Sequence, residues 1–373
     1  MRHALSALLL ASALSGAEEG LFSMADPLGL DSAAAIHFQT EALVADDPVS
    51  IHDLFNRWQG EFHPKEGTNL AIDDGRIDIG FSTERWGYFG YTYRHQSFIR
   101  TNKDTALLTW QQLNDIEFTP GKRYDLLLEI DGFEADGLLY AKGFEPIATP
   151  YGTLHIGVGI ELLRGRNVQD GYLYGEATAN SRKDYDFSAV SDYRYSENYL
   201  YTLHVERPEG YGYSSHLSVQ WRSNRFGFDL LCNDLAGAIH WRNLPYSHVD
   251  IGSANKSYDE NGFVVYNPTV SGVEKSIDAI QRLYRKWRTE ASFAFEPHTL
   301  VAAGSDWVKG YAFPYARLRH RFKSGLQSSL SYESRFGSVA LKIAYGALSL
   351  SLRANDLRHP SVLGADLSCR YRF

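Results

Sequence analysis

Apolar and polar residues alternate along much of the chain, most strictly over residues 362–373. Leu363, Ala365, Leu367, Cys369, Tyr371 and Phe373 fall on one face, and Gly364, Asp366, Ser368, Arg370 and Arg372 on the other. Side chains repeat every two residues on a strand, so this stretch predicts a strand apolar on one side and charged on the other. The same period predicts strands over residues 36–44, 77–83, 86–95, 124–130 and 154–162. It also predicts a hairpin of 185–195 with 199–205 around Ser196 and Glu197, and one of 217–221 with 226–230 around Ser223 and Asn224. Two segments depart from period two. Ile51, Leu54, Phe55 and Trp58 recur at i, i+3, i+4 and i+7, a short amphipathic helix that Ser50 caps and Gly60 ends. Val273, Ile277, Ile280, Leu283, Tyr284 and Trp287 recur near helical spacing among Arg282, Arg285, Lys286 and Arg288. That predicts a basic loop helix over 272–286, although a wall strand beginning near Leu283 fits period two as well. Residues 101–118 read as a loop with some helical character.

A strand as long as the last one crosses a bilayer when tilted. It ends on Phe373, with Tyr371 two places earlier, and this ending resembles the C-terminal assembly signal of bacterial outer-membrane β-barrel proteins. The resemblance implies outer-membrane lipid and the β-barrel assembly machinery as partners. The N-terminus agrees with that address. A basic Met1-Arg2-His3, an apolar run over 4–14 and the small residues Ser15, Gly16 and Ala17 predict a signal peptide, residues 1–17, cut after Ala17. No later run approaches the roughly 18 apolar residues of a spanning helix. Residues 18–373 are therefore expected to fold as an all-β protein, a transmembrane antiparallel β-barrel of about 14–18 strands, 16 at the centre, with short loop helices.

Composition fits such a wall. The 24 Tyr, 20 Phe and 7 Trp accompany a chain only 44% hydrophobic, as expected when half of each strand faces water. Tyr193, Tyr199, Trp221, Phe226, Phe322, Tyr345, Tyr371 and Phe373 flank predicted turns and read as an interfacial girdle. Cys232 and Cys369 both fall on apolar faces and read as lipid-facing fillers, with no register that requires a disulfide. Counting strands back from a periplasmic Phe373 puts the turns at Gly346, 323–325, 297–298 and 223–224 on the periplasmic side. It puts 355–361, 335–336 and the tripeptide 233–235 outside, and makes 245–261 a long periplasmic link.

Charge is uneven. The chain carries a net charge of −8, yet residues 275–373 hold 16 Lys/Arg against 7 Asp/Glu. Arg317, Arg319 and Arg321 alternate with apolar residues and would point inward as a ladder, which Lys342, Arg353, Arg370 and Arg372 extend into a basic wall. Guanidinium is always charged and presents a rigid donor fork, so arginines lining a pore favour anions. An internal salt-bridge network with Glu290, Glu333, Asp366 and carboxylates of early strands would use the same side chains.

Nothing local suggests catalysis. No HExxH, phosphate-binding loop or dinucleotide fingerprint occurs, and His216 and Asp229 read as lumenal wall residues, so no catalytic residue, metal or cofactor is expected. Export and acidity speak against nucleic acid. No plug domain or TonB-type box precedes the barrel. The Asn-Pro-Ala start of fatty-acid-transporter-like barrels is missing, and Asn267, Pro268 and Thr269 come late. The leading expectation is a porin-like or substrate-specific channel for small anionic solutes, narrowed by a loop helix. A plugged structural or assembly barrel is the alternative, and a barrel hydrolase or lipid-modifying enzyme a third reading, since fold alone does not decide function. Oligomeric state is not encoded legibly.

Overall fold

The computed structural model describes residues 20–31, 34–197, 208–253, 256–258, 264–266 and 269–373. The expected signal peptide, Tyr199 with the strand 199–205, and the pair Asn267 and Pro268 lie outside the described residues. Along the chain run β1 (Ala35–Asp46), β2 (Thr68–Thr83), β3 (Gly87–Asn102), β4 (Arg123–Gly143), the short β5 (Ile147–Thr149), β6 (Gly152–Ala179) and β7 (Tyr185–Tyr195). Then come β8 (Glu209–Arg222), β9 (Phe226–Asn233), β10 (Gly237–Gly252), β11 (Lys256–Tyr258), β12 (Val264–Tyr266), β13 (Thr269–Arg282) and β14 (Lys286–Glu296). The C-terminal wall is β15 (Thr299–Val308), β16 (Tyr311–Arg321), β17 (Gln327–Glu333), β18 (Ser338–Tyr345), β19 (Leu348–Ala354) and β20 (Val362–Arg372). Among the described residues three short helices accompany them: α1 (Pro27–Leu30), α2 (Ile51–Phe55) and α3 (Lys103–Leu113).

Eighteen of these segments form one antiparallel sheet. It closes on itself where β20 pairs with β1, from Ala35 opposite Arg372 to Ala45 opposite Val362. Closure removes the unpaired edges that an open sheet would expose. Some segments lie end to end in one wall position. β7 and β8 both run against β6, and β9 and β10 both run against β8. β13 and β14 likewise descend together, against β10 and β9. The wall stays within the expected range of strand number. Alternation then does the sorting: Ile160, Leu318, Leu341, Ile343, Leu350 and Leu367 stand exposed on the outer face, while polar and charged partners turn inward.

The end of the wall that carries Phe373 is here the lower end. The turns at 223–225, 297–298, 322–326 and 346–347 gather there, as the alternation predicts. The upper end is uneven. β6 is 28 residues long, whereas β17 and β19 have 7 each, so one side of the wall stands far taller than the other. The two helices at the upper rim are capped as their sequences suggest. Ser50 Oγ accepts from the Asp53 N–H at 3.1 Å, and Asn102 Oδ1 accepts from the Thr105 N–H at 2.9 Å.

Several expectations are corrected. The basic helix over 272–286 is a strand: β13 pairs with β10 along its length, and the period-two alternative holds for β14, which begins at Lys286. Val273 and Ile280 are exposed where β13 descends through the tall wall, so apolar residues there follow no single buried face. The tripeptide 233–235 is a kink in mid-wall rather than an outer loop. Asp234 takes a positive φ of 56° there, and β10 continues upward from β9 instead of turning back. Parity shifts with it, so 245–252 belongs to rising β10 and the long lower link disappears. The neighbours of β7 are β6 and β10. Both cysteines are free thiols, and Cys232 is wholly buried instead of facing lipid.

Candidate functional site

The lumen is filled, and its filling begins with the residues that precede β1. Gly20 to Ala25 thread it outside any helix or strand, with Leu21, Phe22, Met24 and Ala25 all buried. Such a segment has no strand ladder, so its backbone groups must find side chains. The Leu21 and Phe22 N–H groups donate to Asp306 Oδ2 at 2.7 and 3.3 Å, and that of Ser23 donates to Asp74 Oδ2 at 2.7 Å. The Met24 N–H donates to Glu41 at 3.1 Å, and Asn233 exchanges a pair of 2.9 Å hydrogen bonds with the Ala25 backbone. From the other side, Arg288 donates to the Phe22 carbonyl at 2.7 Å, Lys286 to that of Ser23 at 3.2 Å and Arg353 to that of Gly20 at 3.2 Å. Pro27 then opens α1, where proline's missing N–H costs nothing, and Asp26 caps it by accepting from Leu28.

Two layers surround this plug. Towards the upper mouth, Leu43, Leu70, Ile72, Phe98, Phe313 and Val362 pack around Leu21 and Phe22, with Phe22 edge-on to Phe313 at a centroid distance of 5.0 Å. Beneath lies a belt of buried charge. Arg76 bonds Asp78 at 2.6 Å and reaches across to Glu161. Arg94 bonds Glu161 at 2.7 Å and Asp234 in a two-pronged contact at 2.7–2.9 Å. Lys286 pairs with Asp74 at 2.5 Å and Arg288 with Asp306 at 2.7 Å. Buried ions demand partners, and here each carboxylate of the belt meets a cation. Asp74 and Asp306 serve twice, binding both a wall cation and the plug backbone.

The predicted basic wall faces inward but does not act as one surface. Arg317 is buried against Glu290 at 2.7 Å. Arg353 also holds Ser338 Oγ at 3.1 Å, and Arg370 donates to the Gly29 carbonyl, so both grip the plug. Lys342 lines a small pocket with Glu41 and Asp366, and Arg372 ends β20 exposed at the lower rim. Arg319 and Arg321 stand apart from these. With Arg222, Arg225, Glu290 and His298 they line a cavity of about 340 Å³ at the lower mouth. A second cavity of about 360 Å³, higher up, is lined by Leu54 and Phe55 of α2 and by outward positions of the wall such as Val44, Asp73, His95 and Ile99, so it opens on the outer face and not into the lumen. The α2 residues Leu54 and Phe55 therefore border that outer cavity and do not narrow the lumen.

Among the girdle candidates, Trp221, Phe226, Phe322, Tyr345, Tyr371 and Phe373 gather at the lower end, where Phe226 packs on Phe293 at 5.1 Å. Tyr193 lies in the tall upper wall, stacked on Tyr195 at 5.1 Å and bonded to Gln169. His216 and Asp229 do face the lumen, His216 against Glu161 at 3.2 Å and Asp229 against Arg222 at 2.5 Å. Sequence reasoning held a plugged barrel as its alternative but looked for the plug in a loop helix and expected none before the barrel, so it missed Gly20–Ala25. The available signal was the concentration of charge at inward positions of early strands, Asp74, Arg76, Asp78 and Arg94, which no water-filled channel requires in matched pairs.

No family model and no curated protein matches the chain. Solved structures that resemble it include the toluene transporter TodX of Pseudomonas putida, at 10% identity over 97% of each chain with a TM-score of 0.44. The toluene transporter TbuX of Ralstonia pickettii aligns at 10% identity over 93% of this chain and 92% of that one, with a TM-score of 0.31. A Pseudomonas aeruginosa FadL homologue aligns at 9% identity over 95% and 96%, with a TM-score of 0.25. With its closed antiparallel wall, outward apolar band and inward charge, the chain has the fold of a transmembrane antiparallel β-barrel.

Proposed function

We propose that the chain is a gated outer-membrane channel for small solutes, held shut by its own N-terminal segment. The observation that carries this reading is how the plug is attached. Gly20–Ala25 touches the wall through side chains alone, with no strand ladder, so it can leave or shift without unpairing a strand. A vestibule lies below the plug, at the lower mouth of the lumen. It carries Arg222, Arg225, Arg319 and Arg321 against fewer acids, which favours an anionic solute at that mouth. The outer membrane is the location that the export signal and the C-terminal Phe373 favour.

The test is conductance in planar bilayers. The full-length barrel is expected to be mostly closed, and a variant lacking residues 20–31 to conduct steadily with a preference for chloride over potassium. A deletion variant that still folds, judged by heat-modifiable migration, but passes no current would sink the reading and leave a static plugged barrel.

A further inference from the structure

On the outer face, four arginines crowd a height that the channel reading leaves unexplained. Arg164 on β6 lies opposite Tyr211 on β8, and Tyr211 opposite His240 on β10. Arg242 follows two residues higher on β10, and Arg282 on β13 lies opposite Ala238. Arg285 adjoins them in the break between β13 and β14, donating to the Leu235 carbonyl at 3.1 Å. All four arginines are exposed. Among the described residues none of the four makes an ion pair, whereas nearby Arg166 is paired with Asp136 at 2.5 Å.

Height identifies what they meet. Outward positions on β6 run Leu154, Ile156, Val158, Ile160 and Leu162 before Arg164. Those ten residues, at about 3.3 Å each on a strand tilted by about 35–45°, rise roughly 25 Å, which matches the apolar band of such barrels. Just below the arginines, Tyr211 and Tyr213 are about half exposed, the placement of amphipathic rings at a lipid boundary. The patch therefore begins where acyl chains end, at the upper end, opposite the short turns around Phe373. Guanidinium forks at that height match phosphate monoesters bidentately, and exposed cations that make no ion pair within the protein are open to an external anion.

We propose that Arg164, Arg242, Arg282 and Arg285 form a docking surface for the phosphates of a phosphorylated glycolipid in the outer leaflet. Acyl chains would lie along the β6–β8 apolar face beneath, with Tyr211 and Tyr213 at the sugar level. The surface is independent of the plug, so conductance measurements leave it untouched.

The test uses the detergent-purified full-length barrel and its R164Q/R242Q/R282Q variant, both checked for heat-modifiable migration. Lipopolysaccharide, dephosphorylated lipopolysaccharide and phosphatidylglycerol are titrated and bound lipid is read by native mass spectrometry. Wild type should hold lipopolysaccharide, and the triple variant should bind it about 100-fold more weakly, near the loss expected for three surface cations facing lipid phosphate. Removing the phosphates should weaken binding comparably. Equal retention by wild type and variant overturns the proposal, as does unchanged affinity for the dephosphorylated glycolipid or equal binding of phosphatidylglycerol. Single R164Q and R282Q variants serve if the triple variant fails to fold, each with about fivefold weaker binding expected.

Discussion

Arg288 donates to the carbonyl of Phe22 at 2.7 Å, joining residues 266 positions apart in the chain. The same guanidinium binds Asp306, whose Oδ2 receives the Leu21 N–H, so one wall pair holds the plug by both its donors and its acceptors. Replacing Asp306 by Asn removes the charge that balances buried Arg288, a loss of roughly 3–5 kcal/mol when one partner of such a pair goes. Asp306→Asn is therefore expected to raise the open fraction in single-channel recordings and to lower the thermal midpoint. Recordings indistinguishable from wild type would argue that the plug is fixed by something else.

Arg319 and Arg321 line the lower vestibule without printing their charge on the belt. In the background lacking residues 20–31, Arg319→Gln with Arg321→Gln should bring the chloride-to-potassium permeability ratio down towards one. Arg317→Gln should alter stability more than selectivity, because Arg317 is buried against Glu290. Reversal potentials under a salt gradient separate the two.

Trp241 fills the lumen beside two glycines and donates from Nε1 to Gln281 at 3.1 Å. A Cβ at Gly165 or Gly210 would lie 2.4 or 2.7 Å from the indole, closer than carbon atoms approach. Gly210→Ala should therefore cost about 1–3 kcal/mol through overpacking. Intrinsic tryptophan fluorescence, read with Trp241→Phe as reference, should report the displaced ring.

At the rim, Ser50 Oγ donates to Asp53 Oδ2 at 2.7 Å and accepts the Asp53 N–H, closing the first turn of α2. The hydroxyl's hydrogen bond holds the Asp53 carboxyl below its ordinary value. A carboxylate depressed in the folded state stabilises fully above its unfolded pKa, near 4, and loses that contribution as pH falls through the folded value. Hydrogen-exchange protection over 51–56, taken relative to the intrinsic rate at each pH, should thus be flat from neutral pH to about 5 and fall only in stronger acid. Ser50→Ala should abolish the acid step and cost about 1 kcal/mol.

Period two made the wall legible because every lipid-facing position must be apolar, and β20, β8 and β9 obey that rule closely. The rule fails where strands leave the lipid. β13 stands in the tall upper wall, and there Val273 and Ile280 mimic a helix. Mid-wall breaks were illegible for a related reason: Asp234 looks like a turn residue, but a turn that reverses the chain and a kink that does not share the same local chemistry. The inward face of Arg317, Arg319, Arg321, Arg353 and Arg370 was readable from parity. Their partners were not, because a lumenal side chain can meet any other strand across the barrel. Gly20–Asp31 carries no periodicity, since a segment satisfied by side chains needs none.

The plug is the first described part of the chain, yet its partners Lys286, Arg288, Asp306, Arg353 and Arg370 come from the last third. It therefore has no seat until most of the wall exists, and contacts so distant in sequence form slowly. Early in biogenesis the segment must wait unpartnered, and its docking marks the end of assembly. The stretch that precedes the wall is the last to settle, so a barrel whose β20 has not met β1 would also be a barrel without its stopper.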